Sequence, residues 1–133
     1  MIRWLRGSDQ PPPDMARFLL VLQPQVPAKP PALIESLGPL LSGLHAEVDH
    51  RTPAHLSALL RGGQEHLRMQ LFADVQSKAE GPVLELVLMS REPMGQGAPQ
   101  TRLVFEQMLS LVASCQPPLG LLFRSDRDGA LPG

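Results

Sequence analysis

Residues Glu65 to Gln76 alternate with a period of two, the spacing of a strand that shows one side to a core and the other to water. Leu67, Met69, Leu71, Ala73 and Val75 fall on one face. His66, Arg68, Gln70, Asp74 and Gln76 fall on the other, with Phe72 the single apolar residue among them. The following run, Val83–Ser90, is almost wholly apolar and reads as a strand covered on both sides. Ser77-Lys78-Ala79-Glu80-Gly81-Pro82 between them is turn-forming, so the pair predicts a hairpin and therefore a sheet.

The flanking sequence predicts elements that could pack on that sheet. Phe18 to Leu22 lies within an apolar strand at Arg17–Gln23, and the prolines from Pro24 to Pro31 make a loop. Leu33, Ile34, Leu37, Leu40, Leu41 and Leu44 lie at helical spacing, and Gly38-Pro39 in their midst predicts a kink or two short helices. His45–His50 is a candidate short strand. Pro53–Arg61 reads as a helix, with Thr52 as N-cap, Pro53 in the first turn, Gly62 at its end and a stripe of Leu56, Leu59 and Leu60. Arg91–Pro99 is a polar loop. A helix is expected over Gln100–Cys115, with Val104, Met108 and Leu111 inward, and a last strand over Leu119–Arg124.

With 45–61 treated as a strand–helix insert, this order is βαββαβ. The expected fold is an α+β two-layer sandwich of ferredoxin-like type. A mixed α/β three-layer sheet, with His45–His50 as a core strand, is the alternative. At 133 residues there is room for one domain, taken as 16–124. Residues 1–15, containing Pro11-Pro12-Pro13, read as an N-terminal arm, and 125–133 as a flexible tail.

Charge and composition exclude several classes of function. The net charge of −1 offers no long-range attraction to a polyanion, so nucleic acid is not an expected partner. Tyrosine is absent and Trp4 is the sole tryptophan, which leaves little for bases to stack on. No stretch reaches the roughly 18 apolar residues of a membrane span. Cys115 is the one cysteine, so no internal disulfide can form, and a cytoplasmic location is expected.

No familiar catalytic or cofactor motif is present. His45, Glu47, Asp49, His50 and His55 crowd together and offer metal-ligand chemistry, but their spacing matches neither HExxH nor paired CxxC. Cys115 closes a helix, where no positive charge favours a thiolate, and reads as packing. Gly95-Gln96-Gly97 lacks the rest of a phosphate-binding loop, although it leads into a helix N-terminus. Asp126-Arg127-Asp128-Gly129 lacks the later calcium ligands.

No catalytic residue, cofactor or metal is therefore expected. The chain reads as a non-enzymatic protein–protein interaction module, an adaptor, chaperone-like or regulatory subunit in a homo- or hetero-oligomer. Phe72, Arg68 and Gln70 on the polar side of the sheet are its candidate contact residues, with Trp4 a further anchor. The alternative is a small ligand- or metal-binding protein or enzyme using the His45–His55 cluster.

Overall fold

A computed structural model of the protein describes residues 15–62 and 67–125. The proposed arm before Met15, the tail beyond Ser125, and both Trp4 and His66 lie outside the described residues.

The described chain forms strand β1 (Met15–Pro24), two short helices α1 (Pro30–Glu35) and α2 (Gly38–Gly43), then strands β2 (Glu47–Thr52), β3 (His55–Gly62), β4 (Leu67–Lys78) and β5 (Gly81–Pro93). Helix α3 (Pro99–Leu111) and strand β6 (Leu119–Arg124) complete it. The strands make a six-stranded sheet in the order β2-β3-β4-β5-β1-β6, and every neighbouring pair is antiparallel.

This architecture overturns the ferredoxin-like two-layer expectation. The residues treated as an insert are two further strands of the sheet: Pro53–Arg61 is not helical but forms the turn and most of β3. Leu56, Leu59 and Leu60 satisfy helical spacing, yet Leu56, Ala58 and Leu60 equally satisfy a strand. Pairing with β4 along its whole length, from His55 opposite Asp74 to Gly62 opposite Leu67, decides between them. Thr52 still serves a local purpose, since its hydroxyl accepts the Ala54 amide in the turn between β2 and β3. The three-layer alternative fails too. The segment it required as a core strand is the edge strand β2, and all of β2 is exposed.

Other elements lie close to expectation. The break at Gly38-Pro39 divides the leucine-rich stretch into α1 and α2, and the alternation of 67–75 lies within β4. The β4–β5 turn is shorter than read, because Lys78 already pairs with Gly81. Gly81 holds a φ of +124°, which a side chain would resist.

The core forms between one sheet face and the helices. Phe18, Leu20 and Leu22 of β1, Leu56 and Leu60 of β3, Met69 and Leu71 of β4, and Leu84, Leu86 and Leu88 of β5 bury their side chains there. Leu33, Ile34, Leu37 and Leu40 of the α1–α2 region, with Val104, Phe105 and Met108 of α3, close over them. The Phe105 ring stacks on Phe18 at 5.1 Å between centroids. No described helix is long and apolar enough to cross a membrane.

Candidate interaction face

The opposite sheet face carries no described helix. Its side chains are fixed by strand register, because directly paired residues share a face. Across the middle run Ser57, Phe72, Val87 and Leu19, each opposite the next on the adjoining strand. One row towards an end lie Leu59, Gln70, Met89 and Arg17, and beyond them Arg61 stands directly opposite Arg68. In the other direction come His55, Asp74, Glu85, Val21 and Phe123.

The sequence candidates Phe72, Gln70 and Arg68 thus occupy one face and one strand. Phe72 and Gln70 are half-buried and Arg68 is exposed. Val83–Ser90, expected to be covered on both sides, is covered by helices on one only. In fact Leu84, Leu86 and Leu88 are buried in the core, while Glu85, Val87 and Met89 are only half-buried on the helix-free side. Leu19, Val21 and Val83 form a small buried cluster there, with Val87 and Phe123 packed against it.

Charge is segregated along this face. Arg17, Arg61, Arg68 and Arg91 gather at one end, Arg91 lying two residues beyond Met89 on β5, and all are exposed. The carboxylates Asp74 and Glu85 lie beyond the apolar middle row. Like charges directly opposite on neighbouring strands repel, so Arg61 beside Arg68 costs stability unless an anion lies nearby. Strand register creates this separation, and of these charges only Arg68 and Asp74 are legible on this face from the sequence.

The histidine-rich segment disperses on folding. His45 ends α2 in a left-handed conformation, φ 55°, and forms a Schellman turn. Its amide donates to the Ser42 carbonyl, and the next amide, of Ala46, donates to the Leu41 carbonyl. Asp49 accepts a hydrogen bond of 2.5 Å from the Ser57 hydroxyl at an irregularity in β2. His55 Nδ1 lies 2.7 Å from Asp74 Oδ1, and the His50 ring sits 5.6 Å from the His55 ring. Among the described residues no three histidine, cysteine, aspartate or glutamate side chains converge to hold a metal ion.

The N-terminus of α3, where the Gly95–Gly97 loop leads, is already filled by a carboxylate. Glu92, near the end of β5, accepts from the Gln100 amide at 2.9 Å and the Thr101 amide at 2.6 Å. The Thr101 hydroxyl donates to Glu92 Oε1 at 2.7 Å. That assignment leaves Ser90 donating to Thr101 Oγ1 at 2.7 Å while accepting the Glu92 amide at 3.0 Å, a closed ring of buried hydrogen bonds. Desolvation pushes the Glu92 carboxyl pKa upward. The Thr101 hydroxyl bond and then the Gln100 and Thr101 amides oppose it and prevail, leaving the pKa below its ordinary value. The cap, Ala98, has no polar side chain, and Glu92 replaces the missing capping group from another element.

Cys115 is fully buried where α3 gives way to the loop before β6, and burial pushes its thiol pKa up. A shallow groove of about 760 Å³ lies at the far end of the sheet, between Val21, Val26, Pro27, Lys78, Pro82 and Leu122.

No protein-family model matches this chain, and no curated protein resembles it significantly.

Proposed function

We propose that this chain is a non-enzymatic protein–protein interaction module that docks through the helix-free face of its sheet. One observation supports this most: half-buried Phe72 lies at the centre of a face whose end, two rows away, carries Arg61 opposite Arg68, like-charged arginines with no ion-pair partner among the described residues. An aromatic ring gives contact area with few rotamers to freeze, and arginine suits interfaces because its planar group is weakly hydrated and presents several donors.

Affinity capture from the native source, comparing wild type with Phe72→Asp, tests the reading. Proteins retained by wild type, including further copies of the chain itself, are expected to be lost with the variant, while circular dichroism shows the same fold. An unchanged set of captured proteins refutes docking through this face.

A further inference from the structure

We infer that the partner for this face is a second copy of the same chain, with the two sheets packed face to face about a twofold axis. The inference rests on the interaction reading above and narrows it. A twofold axis along the Ser57–Phe72–Val87–Leu19 row places Phe72 and Val87 against their own counterparts and reverses strand direction between copies. The arginine end of each copy then lies over the Asp74–Glu85 row of the other. Packing the two sheets in the same strand direction would instead set arginine against arginine. The charge pattern therefore selects the twofold axis that runs across the strands over one that runs along them, and aligned sheets commonly pack within about 30° of such an arrangement.

Individual positions follow from the register. Arg17 stands opposite Met89, and Glu85 stands opposite Val21. Within one copy Arg17 and Glu85 are separated by two rows, about 13 Å, too far to pair with each other. Across the twofold axis Glu85 falls beside Arg17 of the second copy, and Asp74 falls towards its Arg68. Half-buried Leu59, Phe72, Val87 and Met89 supply the apolar centre. Strands about 4.8 Å apart, rising about 3.4 Å per residue, give the β3–β4–β5–β1 part of the face roughly 500 Å², so a pair buries roughly 1,000 Å². That is near the lower bound for a specific interface, and it implies a reversible dimer.

Light scattering coupled to size exclusion, with sedimentation velocity, measures this on the purified full chain. A mass of twice 14.5 kDa is expected at high micromolar concentration, falling towards 14.5 kDa on dilution or as salt rises from about 0.1 to 1 M. Arg17→Glu and Glu85→Arg are each expected to weaken the dimer at least tenfold. The double variant, which exchanges the two charges, should recover to within about threefold of wild type. Rescue of this kind needs contact between copies, since the two residues do not meet within one.

A strict monomer at 100 μM overturns the proposal, as does a dimer indifferent to both single variants or a double variant weaker than either. If the chain is monomeric while Phe72→Asp still releases a different captured protein, the interaction reading stands and self-pairing falls.

Discussion

Removing the Glu92 carboxylate gives the sharpest test of how this fold is held at one point. Glu92→Gln keeps size and one acceptor oxygen but places an amide NH₂ where the other oxygen now accepts, against either the Gln100 amide at Oε2 or the Thr101 amide and hydroxyl at Oε1. Hydrogen bonds to a charged acceptor contribute about 1.5–3 kcal/mol, and losing a helix N-cap costs about 0.5–2 kcal/mol. Because the side chain rearranges and water reaches part of the site, a net loss of about 1–2 kcal/mol is expected. Glu92→Ala, which leaves the ring of buried donors open, should cost about 3 kcal/mol.

The pH dependence distinguishes a charge effect from a packing effect. The folded-state pKa of Glu92 is below the unfolded one, so as pH falls the unfolded chain takes up the proton first. The stabilisation is complete above the ordinary carboxylate range, about 4.3, and is lost as pH falls through that range to the folded value. Urea unfolding of wild type and Glu92→Gln from pH 7 to pH 3 should show a gap that is flat near neutrality and narrows in acid. A gap of constant size throughout would show that the ionised carboxylate is not what holds α3, and a variant as stable as wild type at pH 7 would sink the assignment outright.

Cys115, buried with its thiol pKa raised, should react with a thiol reagent at least a hundredfold more slowly than a free thiol at pH 8, and denaturant should abolish the protection. Fast labelling of the folded chain would contradict its placement. His45→Gly should raise stability by about 0.5–1 kcal/mol in thermal unfolding, since glycine takes the left-handed end of α2 without the side-chain penalty. A loss of stability would mean that the imidazole contributes something beyond its backbone conformation.

How legible the candidate face was in the sequence depends on distance along the chain. Arg68, Gln70 and Phe72 share β4, so alternation alone put them together on the polar side, and their common face is local geometry. Arg17, Arg61 and Glu85 join them only through the pairing of β4 with β3 and β5, and of β5 with β1. The same holds for Glu92, which is an ordinary polar residue in sequence and becomes the cap of α3 only because β5 ends beside that helix. His45, by contrast, was grouped with His50 and His55 by proximity in sequence, although its backbone conformation ends α2 and assigns it to the helix.

The amino-acid order alone settled the elements whose pattern had one reading: the alternating β4, the Gly38-Pro39 break between α1 and α2, and the last strand at Leu119–Arg124. For Pro53–Arg61 it left two, because three leucines fit a helical stripe while Leu56, Ala58 and Leu60 fit a strand. Only the tertiary structure chose, by offering β4 as a partner along the entire segment, and with that choice it set the sheet at six strands. Local propensity differs by tenths of a kilocalorie per residue, whereas burying Leu56 and Leu60 while pairing a whole strand's backbone groups contributes several times more, about 1.5–3 kcal/mol for each leucine. The fold therefore follows the long-range contact wherever the local signal is divided.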